Sequence, residues 1–190
     1  MKKLLLPLLL PALLFFCGCA RDLVVEEVLQ IPVNSRLFTA SNIWYEDPSS
    51  ISCENTLRGK ILPFGTPVRI LSATDKKIVF RPEGADRNFT LNYDDSIRMM
   101  TPENYLRSMF TTKNRDTLSE GVPQVNIEKI MRGVVEKGMS KKEVRLAYGS
   151  PCKYKTPDEN LDTWLYWTSF IEGRRVVFNN DRVVDIIVLE

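Results

Sequence analysis

The stretch from Asn126 to Gly149 allows few folds. Ile127, Ile130, Met131, Val134 and Val135 recur at the spacing of a single helical face. Asn126 stands where an N-cap is needed, and Gly138 ends the pattern, so the spacing predicts a helix over 127–137. Ser140-Lys141-Lys142-Glu143 follows at once. A Ser and a Glu three residues apart can satisfy two orphan backbone N–H groups reciprocally. Met139 before this cap and Val144 after it are placed to pack on each other, and a second helix should run to Tyr148, stopped by Gly149 with Pro151 just beyond. Two short helices joined so tightly need a shared apolar neighbour. The chain supplies three strand patterns, over 163–170, 174–178 and 182–189, the last two flanking Asn179-Asn180-Asp181, a hairpin turn. On the last strand Val184, Ile186 and Val188 share one face; Val183, Asp185, Ile187 and Leu189 take the other. The order α-α-β-β-β predicts an α+β layer over 126–190.

Ahead of it, residues 36–100 read as β structure. Apolar-rich runs over 37–45, 61–71, 77–81 and 89–93 alternate with turn signals at Asp47-Pro48-Ser49-Ser50, Thr74-Asp75-Lys76 and Pro82-Glu83-Gly84. Short, evenly spaced strands suggest a small barrel or sandwich. Gly65-Thr66-Pro67-Val68-Arg69-Ile70 resembles the G-T-x-V-x-I strand of bacterial Src-homology-three-like domains, which implies a small all-β, barrel-like N-terminal domain. Residues 101–125 are expected to be a connector, with Thr101 capping a short helix that starts at Pro102 and turns Tyr105, Leu106 and Met109 to one side. Residues 111–122 are polar and are expected to be loop.

The first residues carry a different message. Lys2 and Lys3 precede an apolar run over 4–16, broken by Pro7 and Pro11. About 13 residues of helix span roughly 20 Å, short of the ~30 Å hydrocarbon core of a bilayer. This is the build of an export signal. It ends on Phe16-Cys17-Gly18-Cys19, which resembles a lipobox: Gly18 is the small residue before the cut and Cys19 the thiol that takes the lipid. Cys17 is the rival anchor, but bulky Phe16 would then precede the cut. Residues 1–18 are therefore expected to be a signal peptide and 19–35 a lipidated tether, broken by Pro32. Ala20 after the cysteine favours, by resemblance to enterobacterial sorting, the outer membrane, facing the periplasm.

Without Lys2 and Lys3, basic and acidic side chains are equal in number, which gives a nucleic-acid partner no support. There is no histidine, so Ser-His or Cys-His nucleophiles and a zinc site lack a key residue, and no Gly-rich phosphate loop is present. The expectation is a protein that is not an enzyme and uses no metal or cofactor. Asp94-Asp95 and Asp158-Glu159 read as solvated turns, and Arg174-Arg175 and Lys141-Lys142 as surface charge. Cys53 and Cys152 remain in the exported part, and an oxidising compartment makes them a candidate disulfide closing roughly 100 residues; the alternative is two separate buried thiols. Trp164 and Tyr166 share a strand face and are expected to pack on the helices. Trp167 faces the other way and is the candidate partner contact.

The motifs of the last 65 residues occur in a familiar order. Gly138-Met139-Ser140-Lys141-Lys142-Glu143-Val144, Gly149-Ser150-Pro151, Thr163-Trp164-Leu165-Tyr166 and Val176-Val177-Phe178-Asn179-Asn180-Asp181-Arg182-Val183-Val184 together resemble the SmpA/OmlA, or BamE-like, lipoprotein domain. The resemblance implies a small outer-membrane lipoprotein module. The type member is an accessory subunit of the β-barrel assembly machinery that also contacts phosphatidylglycerol, and β-lactamase inhibitory proteins share the α-α-β layout. Some 100 extra residues precede the module here, which leaves room for a different complex. The expected function is a membrane-anchored, non-enzymatic interaction module in outer-membrane protein assembly or envelope maintenance. The alternatives are a peptidoglycan binder acting through 36–100 and an inhibitor of a periplasmic hydrolase.

Overall fold

Two apolar cores form, and the chain crosses between them more than once. The computed structural model describes residues 20–54, 56–169 and 171–190. In chain order the elements are α1 (Val25–Leu29), β1 (Leu37–Thr39), β2 (Ile43–Tyr45), β3 (Lys60–Leu62), β4 (Pro67–Ala73), β5 (Lys77–Pro82) and β6 (Phe89–Asn92). They continue with α2 (Asp95–Arg98), α3 (Pro102–Met109), β7 (Phe110–Thr111), α4 (Arg115–Leu118), α5 (Gln124–Met131), α6 (Lys141–Tyr148), β8 (Thr163–Trp167), β9 (Gly173–Asn179) and β10 (Arg182–Leu189). Helices and sheets both contribute, so the class is α+β.

The first core rests on an antiparallel sheet of five strands in the order β6-β5-β4-β1-β7. Its end strands, β6 and β7, do not pair, so the sheet is open. The barrel expected over 36–100 does not form among the described residues. The reason lies in two runs that looked continuous. Each breaks in the middle: 37–45 into β1 and β2, 61–71 into β3 and β4. The halves β2 and β3 pair with each other, Trp44 opposite Ile61, and leave the five-stranded sheet. Polar bonds hold the break. Thr39 Oγ1 donates to the Pro63 carbonyl at 2.8 Å, Gly65 N–H to the Thr39 carbonyl at 2.8 Å, and Phe64 N–H to Asn42 Oδ1 at 2.9 Å. Gly65 turns at a φ of 67°, and a β-carbon there would sit 2.6 Å from the Arg115 α-carbon, so the place suits a residue without a side chain.

The tether expected over 19–35 is, from residue 21 onward, part of this body. Leu23 N–H donates to the Ala73 carbonyl at 2.9 Å, Asp75 N–H to the Arg21 carbonyl at 2.9 Å, and Arg21 pairs with Glu103 at 2.6 Å. Leu23 and Val28 are buried with the sheet residues. Pro32 does break the helix pattern, but apolar side chains on either side find the core. Residues 101–125 are likewise more than a connector. Thr101 caps α3, accepting from Asn104 N–H at 3.2 Å, and Tyr105, Leu106 and Phe110 are fully buried in the first core. Within 111–122, expected to be loop, Asn114 caps the single turn α4.

The second core lies between α5, α6 and the sheet β10-β9-β8. The reciprocal cap at α6 is present in both directions, and Met139 and Val144 are both buried in this core. Asn180 and Asp181, with φ of 49° and 64°, make the tight turn from β9 to β10. The first helix differs from expectation. It begins at Gln124 after Pro123, and Asn126 is not its cap: its side chain donates to Glu143 Oε1 at 2.6 Å. It also stops at Arg132, ahead of Gly138. Gly133 turns the chain out of the helix at a φ of 69°, and a β-carbon there would sit 2.2 Å from Cζ2 of Trp44 on β2, so the position takes no side chain. Leu57 and Phe64, from the N-terminal half, belong to this core. The halves therefore pack into each other rather than following as beads.

Candidate functional site

Strand parity sorts the aromatic residues of β8. Trp164 and Tyr166 point into the second core, at 0% and 2% exposure. Trp164 meets Phe178 edge-on at 4.9 Å, and Tyr166 Oη donates to the Gly149 carbonyl at 2.9 Å. Burial pushes the Tyr166 phenol well above its usual range, so it serves as a neutral donor. Trp167 lies on the other face, half-buried, in register with Gly173, and the Lys155 ammonium stands 5.8 Å from its ring. Leu165, Trp167, Val177 and Ile187 share this outer face, with Arg175 among them, and neither core includes them. The adjoining β10 is an edge strand. Its start is covered, since Gly138 and Met139 exchange backbone bonds with Val183. From Asp185 to Leu189 no backbone partner lies on the outer side among the described residues. An apolar face beside an open strand edge is a surface that can take another polypeptide.

The paired acids have structural roles. Asp94 caps α2, accepting from Ser96 N–H at 2.9 Å, and hydrogen bonds from Ser96 hold its carboxyl below the usual range. Asp158 accepts from Asn160 N–H, and Glu159 pairs with Arg145 at 2.6 Å. Arg174 donates to the Tyr148 hydroxyl, while Lys142 donates to the Glu120 carbonyl. A cavity of about 550 Å³ between residues 23–35 and β4 is lined largely by aliphatic side chains, with Glu26 and Arg69 its charged members. Among the described residues no group of three Cys, Asp or Glu side chains is placed to hold a metal ion.

Among the described residues Glu143 is the one buried carboxylate, and its partner Ser140 was legible in the sequence. It is 2% exposed. Burial opposes its charge, but Ser140 N–H at 2.6 Å, Asn126 Nδ2 at 2.6 Å and Ser140 Oγ at 2.8 Å outweigh burial, with Arg182 at 3.7 Å adding to them. The carboxyl is held below the usual range. A depressed folded-state pKa stabilises the fold above the unfolded value, near 4.3, and that contribution fades as pH falls through the folded value. Glu143→Gln is therefore expected to cost about 1–2 kcal/mol at pH 7. In urea melts at stepped pH the difference from the parent should close below about pH 4; a pH-independent difference would show that the charge plays no part.

A second cluster gathers the two cysteines that the sequence offered as a candidate disulfide and an arginine that it did not mark. Cys53 and Cys152 both reach α2. Cys53 Sγ lies 3.9 Å from the Asp94 carbonyl and Cys152 Sγ 2.6 Å from the Ile97 carbonyl, positions one helical turn apart. Both thiols are free and buried, and burial pushes the Cys53 thiol up. Arg98, 2% exposed, joins the same cluster: its Nη1 reaches the carbonyls of Cys53 at 3.4 Å and Ser150 at 3.5 Å. Its guanidinium lies 5.5 Å from the Tyr105 ring centre, and its Nε has no partner among the described residues. No composition or spacing signal marks a lone arginine as buried; only the meeting of two loops on α2 does so.

Cys19 and Cys17, with the rest of the export signal, lie outside the described residues. The described chain begins beside the β4–β5 turn, where Asp22 bridges Thr74. Among the described residues no helix is long and apolar enough to cross a membrane. No protein-family model, curated protein or solved structure matches the chain.

Proposed function

We propose that the chain is a lipoprotein, anchored by lipid on Cys19 in the outer membrane and facing the periplasm. There it acts as a non-enzymatic interaction module in outer-membrane protein assembly or envelope maintenance. Residues 126–190 are read as a BamE-like module, a reading supported by the order of two helices and three antiparallel strands together with the lipobox-like Phe16–Cys19 sequence. The observation that carries the proposal is the outer face of the C-terminal sheet. Trp167, Leu165, Val177 and Ile187 stay outside both cores beside the open edge of β10. Envelope proteins, among them the β-barrel assembly machinery, are the partners such a face would meet.

Two variants test the two halves of this reading. Cys19→Ser is expected to abolish palmitate labelling and move the chain from the membrane to the soluble fraction, while Cys17→Ser leaves both unchanged. Labelling that survives in Cys19→Ser would overturn the anchor assignment. Trp167→Ala is expected to reduce recovery of envelope partners at least about tenfold after crosslinking in the native strain, the loss expected when an interface aromatic is truncated. Retention on purified sacculi that needs residues 36–100 would instead favour a peptidoglycan binder.

A further inference from the structure

Cys53 and Cys152 are 99 positions apart in the chain, yet their sulfurs face the two ends of one short helix: Cys53 the carbonyl of Asp94, the N-cap of α2, and Cys152 that of Ile97 within it. The backbone agrees. One nitrogen of Arg98 reaches the carbonyls of both Cys53 and Ser150, so those two oxygens are no further apart than its two bonds laid end to end. Neither cysteine lies in a helix or strand: Cys53 is in the turn after Ile51, and Cys152 in the loop after α6. Both ends of a bond between them are therefore carried by loop backbone, outside any helix or strand. Cys53 belongs to the first core, and Cys152 follows α6 of the second.

We infer that Cys53 and Cys152 form a disulfide that fastens the two cores together across α2. Each thiol gives up a proton and an electron as the S–S bond forms. The two electrons and two protons pass to a disulfide oxidant by thiol–disulfide exchange, and that oxidant leaves as a dithiol or two thiols. Both cysteines are at or below 5% exposure in the folded protein, so the bond closes while the chain is folding. That it closes in the cell rests on the proposed export to an oxidising compartment. That it can close depends on this geometry alone.

The test separates these two statements. Full chain produced reduced is refolded with glutathione and glutathione disulfide, then alkylated under denaturing conditions and weighed. The expected product lacks two hydrogens, with free thiol at Cys53 and Cys152 reduced at least about tenfold relative to refolding in reductant, as for a structural disulfide more stable than the glutathione pool. Cys53→Ser and Cys152→Ser each remove that product. Reductant should lower the midpoint of thermal unfolding of the parent and leave the Cys53→Ser/Cys152→Ser double variant unmoved. Alkylation of both Cys53 and Cys152 in peptide maps, or glutathione mixed disulfides at both positions, would overturn the inference; Cys17 and Cys19, also present in the full chain, are mapped separately. In parallel, the chain extracted from its native strain is alkylated at once. Closure in both arms supports bond and export together. Closure with glutathione but free thiols in the cell supports the bond and counts against the export reading.

Discussion

Asn42→Ala is expected to lower the free energy of unfolding by about 3 kcal/mol, because one buried side chain stitches three segments together. Asn42 is 1% exposed. Its Nδ2 donates to the carbonyls of Ile130 at 2.6 Å and Ala147 at 3.2 Å, at the end of α5 and near the end of α6. Its Oδ1 accepts from Phe64 N–H at 2.9 Å. The losses are unequal. Ile130 keeps a bond from Gly133 N–H and Ala147 keeps one from the Trp44 indole, so neither carbonyl is orphaned. Phe64 N–H is left unpaired in a buried site, and an abandoned buried donor costs about 1–3 kcal/mol by itself. Asn42→Asp sharpens the test. It keeps an acceptor for Phe64 but turns an oxygen toward two carbonyls, so the new carboxyl should stay protonated in the fold. With its folded pKa raised, that variant should gain stability as pH falls toward the ordinary carboxylate range and lose it above. Urea melts would decide. If 36–100 and 126–190 were separate modules on a linker, Asn42→Ala would shift stability by less than about 0.5 kcal/mol, the usual size for a surface change.

That result bears on what the sequence could disclose. Features closed within a few residues were legible: the Ser140–Glu143 cap, the Asn180-Asp181 turn and the parity of β8 each depend on neighbours in the chain. Features closed across the chain were not. A continuous apolar run such as 61–71 reports burial and says nothing of which core receives each half; the bonds of Thr39 and Asn42 to Pro63 and Phe64 decide that. Leu23 and Val28 looked like a tether because their partners are distant in the chain: Leu23 N–H bonds Ala73 at the end of β4, and the Val28 carbonyl accepts from Arg107 on α3. Asn126 had the right identity for a cap, but a buried carboxylate seventeen residues later claimed its side chain. Of the site residues, Trp167 follows from alternation alone, whereas the meeting of Cys53 and Cys152 on α2 needed the fold.

The aromatic pair on β8 gives the widest contrast between burial and function. Trp164→Ala is expected to cost about 3–5 kcal/mol, the range for emptying a buried aromatic site. The ring is 0% exposed, packed edge-on to Phe178, with Lys141 Nζ at 5.9 Å and the Arg145 guanidinium at 5.3 Å from its centre. Truncation also removes the ring face on which these two cations rest and the indole bond to the Glu159 carbonyl at 3.0 Å. Trp164→Phe keeps part of the packing but loses that bond, and should fall between Ala and parent. Trp167→Ala, three residues on and on the opposite face, should cost less than about 1 kcal/mol, because its half-buried ring fills no core. Denaturant titrations on both variants separate the roles. A small loss for Trp164→Ala would mean that the second core collapses around the gap. A large loss for Trp167→Ala would make the outer face part of the folding core, and the partner contact would then have to lie elsewhere. A stable Trp167→Ala that fails to recover partners is the combination in which binding, and not folding, depends on this residue.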